Sequence, residues 1–180
     1  MTDTFDLAFR TVVGEEGGYG ADPADSGNWT GGHVGAGECR GTKYGISAAA
    51  YPQLDIAALT LDGARAIYWR DYWTRTGCDR LPPGVALIVF DAAVNNGQPT
   101  SVRWLQLALG VTADGVFGPR TQMAAAAKNP VDLAAELLAR RIDAMARDPD
   151  WAHFGLGWAR RLAHLPFEAV ALTGAAGTAT

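Results

Sequence analysis

The chain has 180 residues, 48% apolar and 19% charged, which suits a folded domain with a buried core and excludes a disordered or coiled-coil chain. Its net charge of −4 comes from 15 basic and 19 acidic side chains with no long basic run, which argues against nucleic-acid binding. The longest apolar run, Val85 to Phe90, is too short to cross a bilayer, so no membrane insertion is expected.

The opening Met1-Thr2-Asp3-Thr4-Phe5-Asp6 is acidic where a signal peptide is basic, and no apolar segment with a small-residue cleavage site follows. Synthesis in the cytoplasm is therefore expected, and a target beyond the membrane requires another agent for delivery. A first helix is predicted from the stripe Phe5, Ala8, Phe9, Val12 and Val13, capped by Thr2, Asp3 or Thr4 and stopped at Gly17-Gly18. From Tyr19 to Gly45 the periodicity is lost. Asp22-Pro23, Ser26-Gly27-Asn28 and Gly31-Gly32 are turn signals, and the stretch reads as an extended lobe with short strands near Asn28–Thr30 and Thr42–Ile46.

Helices return after Ser47, which is placed to cap a short one, while Thr60 caps another that includes Ala64, Ile67, Tyr68 and Tyr72. Val85–Asn96 is apolar nearly all round and ends at Gly97, as expected of a central buried helix. Further helices are predicted at Ser101–Leu109, Arg120–Lys128, Val131–Arg147 and Trp151–His164, with Pro119 and Pro130 in first turns and Asn129 as a cap. Trp69 and Trp73, four apart, are assigned to the core. Residues 173–180 are small and polar and are expected to form a flexible tail.

Extending the first helix carries its apolar stripe to Glu16, about three turns beyond Phe5. A half-buried carboxyl holds its proton more tightly, because the charged form loses hydration. Glycosidic cleavage requires such a general acid together with a second carboxylate across the sugar. Asp22 and Asp25 both compete for that second place, and an Asx-turn in a glycine-rich loop is the structural alternative for either. For Glu16 the alternative is a helix-end carboxylate bound to backbone amides or an arginine.

Glu16-Gly17-Gly18-Tyr19, then Asp25-Ser26-Gly27, then Thr42-Lys43-Tyr44-Gly45-Ile46-Ser47 resembles the N-terminal signature of glycoside hydrolase family 108. These are bacterial and phage N-acetylmuramidases of lysozyme-like fold, and the Glu, Asp, Thr-x-x-Gly-Ile order is also similar to phage-type lysozymes. Tyr68-Trp69-Arg70-Asp71-Tyr72-Trp73, Cys78-Asp79-Arg80-Leu81-Pro82 and Phe90-Asp91-Ala92-Ala93-Val94-Asn95-Asn96-Gly97 continue the pattern. Leu105-Gln106, Leu109-Gly110 and Asp114-Gly115-Val116-Phe117-Gly118-Pro119-Arg120-Thr121 resemble the family's C-terminal peptidoglycan-binding region.

The resemblance implies an α+β, predominantly α-helical lysozyme-like fold with a small glycine-rich lobe near residues 19–46. It implies a catalytic region at 1–98 and a peptidoglycan-binding module at 99–172, packed as one globular unit. Glu16 would protonate the leaving oxygen. Asp25 would stabilise the transition state or activate a water, which Thr42 would help to position. Two departures stand out: the usual Asp-x-Gly-Gly reads Asp25-Ser26-Gly27-Asn28, and an insertion through Gly41 brings in Thr30 as a rival to Thr42.

Aromatic faces beside polar groups suit sugars, so Tyr19, Trp29, Tyr44 and Tyr51 are candidate substrate walls, with ordinary packing as the alternative. Asn95 and Asn96, ending the central helix, are candidate substrate-binding amides, whereas Asp91 within that helix is expected to be structural. Arg140, Arg141, Arg160 and Arg161 either face an anionic polymer or are simply solvated.

Cys39 and Cys78 form no Cys-x-x-Cys pattern, and two free thiols are expected, with one bridge as the alternative. His33, His153 and His164 form no ligand set, so neither metal nor cofactor is expected. The expected activity is cleavage of the β-1,4 bond between N-acetylmuramic acid and N-acetylglucosamine, by a monomer acting on peptidoglycan strands and delivered by a holin or another export partner. Cleavage of chitin or chitosan, and non-catalytic wall binding by a phage structural protein, are the alternatives.

Overall fold

A computed structural model describes residues 2–14 and 18–176, with side chains described as far as residue 172. The chain divides into two compact units, one made of residues 9–68 and the other of residues 1–8 with 69–180. The fold is α+β and helix-dominated, as expected.

Helix α1 (Asp3–Val12) begins where the Thr2 hydroxyl accepts the Phe5 N–H at 3.3 Å. It ends earlier than the sequence suggested. Val13 and Gly14 both donate their N–H to the Phe9 carbonyl, and Gly14 takes φ 79°, a left-handed stop that glycine adopts without steric cost. The predicted stop at Gly17-Gly18 is thus corrected to Gly14.

In the 9–68 unit, strands β1 (Thr42–Lys43) and β2 (Ile46–Ser47) pair antiparallel, Thr42 opposite Ser47 and Lys43 opposite Ile46. The loop between them is two residues, Tyr44 at φ 51° and Gly45 at φ 73°, the double positive-φ geometry that matches strand twist in tight hairpins. The strand expected near Asn28–Thr30 is instead a short 3-10 turn, Ser26–Asn28, followed by an isolated bridge between Trp29 and Cys39. Ser47 caps a turn rather than a helix, its Oγ accepting the Ala50 N–H at 3.3 Å. Helix α2 (Leu61–Tyr68) starts as expected from Thr60, whose Oγ1 accepts the Gly63 N–H at 3.1 Å. Phe9, Ile46, Ile56, Ala64 and Tyr68 are buried in this unit.

In the other unit, a π-helical turn, Trp69–Thr74, and a 3-10 turn, Cys78–Arg80, precede helix α3 (Pro83–Asn96). Every residue of α3 from Gly84 to Ala93 is buried, which makes it the central helix. It packs against α4 (Gln98–Leu109), α6 (Pro130–Ala146) and α7 (Trp151–Ala176), while α5 (Pro119–Ala127) contacts α4. Phe5 meets Trp69, Trp73 and Phe90 edge-on at centroid distances of 5.0, 5.4 and 5.9 Å, so the tryptophan pair belongs to the core. Pro119 and Pro130 occupy first turns, and the Asn129 carboxamide accepts from the N–H of Val131 and Asp132.

Helix α7 corrects the expected end near His164. It continues through Pro166 to Ala176, so part of the stretch expected to be a flexible tail is helical. Proline removes one N–H from the ladder, but Leu162, Leu165, Ala169 and Leu172 keep one face buried across it. No helix among the described residues is long and apolar enough to cross a membrane.

Candidate functional site

Glu16 lies outside the described residues. The other residues expected to act with it in catalysis lie in the 9–68 unit, Asp25 in a turn and Thr42 at the start of β1, joined through one side chain. Asp25 is exposed and starts the Ser26–Asn28 turn, its Oδ1 accepting the Gly27 N–H at 2.8 Å. Asp22 makes the same kind of Asx-turn, with Oδ1 accepting the Ala24 N–H at 2.9 Å. Neither Oδ2 has a hydrogen-bond partner among the described residues.

Asn28, only 3% exposed, binds these segments together. Its N–H donates to the Asp25 carbonyl at 3.1 Å and its Nδ2 to the Asp22 carbonyl at 3.0 Å. Its Oδ1 accepts the Thr42 hydroxyl at 2.8 Å, and its carbonyl accepts the N–H of Arg40 and Gly41. Asp25, Asn28 and Thr42 therefore form one hydrogen-bonded chain. In the sequence Asn28 is a turn residue, the start of an expected strand and a departure from a glycine pattern; the signal for its bridging role is an amide in a stretch with little strand to satisfy the backbone.

Thr30 is committed elsewhere. Its Oγ1 accepts the Glu38 N–H at 2.9 Å and its own N–H donates to the Glu38 carbonyl, closing the 30–38 loop. Thr42 donates to Asn28 and keeps acceptor lone pairs on Oγ1.

Tyr19 is 48% exposed and runs beside Thr42, because Gly20 exchanges two backbone hydrogen bonds with Thr42 at 3.0 and 2.7 Å. A Cβ on Gly41, at φ 81°, would sit 2.7 Å from the Tyr19 ring and 2.4 Å from the Gly20 carbonyl, so only glycine allows this approach. With Arg40 and Asp55, Tyr19 lines a concavity of about 380 Å³. Trp29 is half-buried and donates its indole N–H to the Pro23 carbonyl at 2.9 Å. Tyr44 occupies the hairpin loop, its carbonyl accepting the Tyr68 hydroxyl at 3.1 Å, and Tyr51 borders a separate concavity with Pro52 and Leu54.

Asn95 and Asn96 belong to the other unit, at the end of α3. The Asn95 amide donates to the Asp91 carbonyl at 2.7 Å, and its Oδ1 accepts from Arg161. Asp91 is structural, as expected: its Oδ2 lies 2.5 Å from Arg141 Nη1, with side-chain exposures of 3% and 1%. Arg141 is thus neither solvated nor free to face a polymer, which corrects that expectation. Burial pulls its guanidinium below the ordinary arginine value, opposed by the Asp91 charge and hydrogen bond.

Neither cysteine is paired. Cys78 is buried, which pushes its thiol up to about 12 despite the opposing hydrogen bond with Thr76. Among the described residues no group of histidine, cysteine, aspartate or glutamate is placed to hold a metal.

The pattern of the family described as Glycosyl hydrolase 108 matches residues 9–97, and that of a Predicted Peptidoglycan domain matches residues 100–163. A solved structure titled "Structure of Brucella abortus SagA" superposes with a TM-score of 0.77 at 30% identity, covering 94% of this chain and 95% of that one. The chain belongs to the glycosyl hydrolase 108 family. Nothing among curated proteins matches it. Membership of glycosyl hydrolase 108 makes the helix-dominated fold a lysozyme-like one. With the peptidoglycan domain beside it, the chain is a glycoside hydrolase of peptidoglycan.

The Asp114-Gly115-Val116-Phe117 motif of the peptidoglycan domain is structural. The Gln106 amide reaches Asp114, the Val116 carbonyl and Thr121, and its Oε1 accepts the Gly115 N–H at 2.8 Å. The Val116 N–H, and then the Gln106 amide, hold the Asp114 carboxyl below its ordinary value. Phe117 lies against Gly77, where a Cβ would meet its ring at 2.2 Å, and under the Arg80 guanidinium at 4.8 Å.

Proposed function

We propose that this hydrolase is an N-acetylmuramidase, cutting the β-1,4 bond between N-acetylmuramic acid and N-acetylglucosamine, with Glu16 as general acid. Asp25 is the second carboxylate, and Thr42 orients a water through its free lone pairs. Tyr19, Trp29 and Tyr44 contribute aromatic surface to the glycan strand, and the enzyme acts as a monomer after release by an export partner. The functional division runs near residue 98, the catalytic part before it and wall binding after it.

The observation that carries this reading is the Asp25–Asn28–Thr42 chain: buried Asn28 holds the Thr42 hydroxyl through its carboxamide and the backbone carbonyl of Asp25 through its N–H, while the Asp25 carboxylate is fixed by the Gly27 N–H. A general base or electrostatic partner needs such fixed placement, because misplacing a reacting group forfeits the advantage of proximity. Thr42 is favoured over Thr30 because the latter's oxygen already closes its own loop.

The test is digestion of purified sacculi followed by mass spectrometry of the fragments. New reducing ends on N-acetylmuramic acid are expected, together with a loss of about 10²–10⁴-fold in Glu16→Gln, the usual contribution of a general acid. Reducing ends on N-acetylglucosamine, or a Glu16→Gln rate near wild type, would overturn the assignment.

A further inference from the structure

Helix α7 is apolar on two sides. Its buried face is the stripe Leu162, Leu165, Ala169 and Leu172. About a third of the way round the helix runs a second stripe, Leu156, Ala159, Ala163, Phe167 and Val170, and every member of it is exposed. Val170 also lines a groove of about 350 Å³, together with Pro166 and with Val131, Ala135, Leu138 and Ile142 of α6. Leu156, Phe167, Val170, Val131 and Ile142 are between 46% and 77% exposed. At about 200 Å² for a large side chain, these five offer roughly 600 Å² of apolar surface, the upper end for a chain that stays alone.

The spacing of the second stripe decides what fits it. Its steps are three, four, four and three residues, the same read from either end, with Ala163 at the centre. Turning a second α7 antiparallel about Ala163 sets Leu156 opposite Val170, small Ala159 opposite large Phe167, and Ala163 opposite itself. Leu156 of each copy then comes over the groove beside Val170 of the other.

The charges agree with this register. Arg160 and Glu168 are exposed and unpaired among the described residues, whereas Arg161 is held by Asp91. Both lie on one flank of the stripe. The antiparallel turn brings Arg160 of each copy to within two residues, about 3 Å along the axis, of Glu168 of the other. A two-fold contact of this kind is self-complementary, each copy supplying the same patch. A bilayer would use the apolar stripe but not the paired signs, and anionic lipid would repel Glu168.

We propose that α7 pairs antiparallel with α7 of a second copy about Ala163. At roughly 600 Å² a side the contact is small for a specific interface, so the pair is reversible. Asp25, Asn28 and Thr42 lie in the other unit, and each copy keeps its own set. The pair is the form of the concentrated protein, and dilution releases the single chain that acts on the wall.

The experiment is sedimentation velocity of the full chain from about 1 to 300 µM, spanning an expected Kd on the order of 10 µM. Ala163→Glu puts two carboxylates on the axis from an exposed position and should weaken the pair at least about tenfold. Arg160→Glu and Glu168→Arg should each weaken it about fivefold, and the two together should restore it, because the signs are then exchanged in both copies. Thermal melts verify that the variants fold.

A wild type that stays monomeric through the whole range would overturn the inference, as would a dimer indifferent to Ala163→Glu. A double exchange no stronger than the single ones would rule out the antiparallel register and the proposal with it. Sedimentation with vesicles of anionic phospholipid, lost in Ala163→Glu, by a protein that never dimerises would make the face a lipid site instead. A dimer that follows all the variants stands whether or not sacculi release reducing ends.

Discussion

Replacing Arg141 by methionine should destabilise the helical unit by about 3 kcal/mol. The Arg141–Asp91 pair is shut away from water, with side-chain exposures of 1% and 3% and a separation of 2.5 Å. Removing one partner from a buried pair typically costs 3–5 kcal/mol, because the other charge remains without hydration or compensation. The lower end applies here, since Asp91 Oδ1 keeps the Asn95 amide at 3.3 Å and Arg161 at 3.9 Å. For a protein of this size each kcal/mol moves the melting temperature by roughly 2–4 °C, so a fall of about 6–12 °C is expected. Adding Asp91→Leu to Arg141→Met should recover most of the loss, because two well-packed apolar side chains can match or exceed a buried ion pair. Urea denaturation of the wild type, both single variants and the double variant yields the coupling energy. A double variant as unstable as the sum of the singles would refute the claim that the stranded charge dominates.

Thr42→Val keeps the shape of the side chain but strands the Asn28 Oδ1, and a loss of about 1–3 kcal/mol in urea denaturation is expected, together with slower release of reducing ends from sacculi. In native protein at pH 8, a thiol-disulfide reagent should label half-exposed Cys39 and leave Cys78 untouched until denaturant is added; rapid native labelling of both would contradict the burial that lifts the Cys78 thiol to about 12. Because Asp114 titrates below its ordinary value in the folded protein, its stabilising contribution is present above the unfolded pKa of about 3.9 and is lost as pH falls through the folded value. Asp114→Asn should therefore show a shallower loss of stability in acid titrations followed by circular dichroism, and an unchanged acid profile would remove Asp114 from the account.

The parts legible in the sequence were those governed by periodicity and end-chemistry. The length of the apolar segment Val85–Asn96 and its end at Gly97 pointed to a central helix, and Thr60, Asn129, Pro119 and Pro130 marked their helix starts because capping and first-turn preferences act within a few residues. Errors arose where a local rule met a competing one. Gly14 ended α1 before the glycine pair because a single left-handed residue suffices to stop a helix. The expected end at His164 falls short because Leu162, Leu165, Ala169 and Leu172 keep one face buried on both sides of Pro166, so α7 stays helical beyond it. Arg141 occupies the third place in the stripe Leu133, Leu137, Arg141, Met145, and reading that stripe strictly would have predicted its burial and hence a partner.

The candidate catalytic residues were visible as motifs, but their mutual placement was not, because it depends on side-chain hydrogen bonds between segments far apart in the chain. With only four residues in paired strands, the glycine-rich lobe cannot satisfy its backbone through a ladder. Asn28 does part of that work, its carboxamide and backbone joining Asp22, Asp25, Arg40, Gly41 and Thr42. Gln106 performs the same task in the peptidoglycan domain, joining Asp114, Gly115, Val116 and Thr121. A primary amide fits both places because it donates and accepts at once without bringing a charge into the interior. On the proposed mechanism Asn28 bears on the chemistry, because losing its carboxamide frees the hydroxyl of Thr42 from the segment that carries Asp25. Asn28→Ala should accordingly reduce wall hydrolysis along with stability, although the side chain it removes need never touch the sugar.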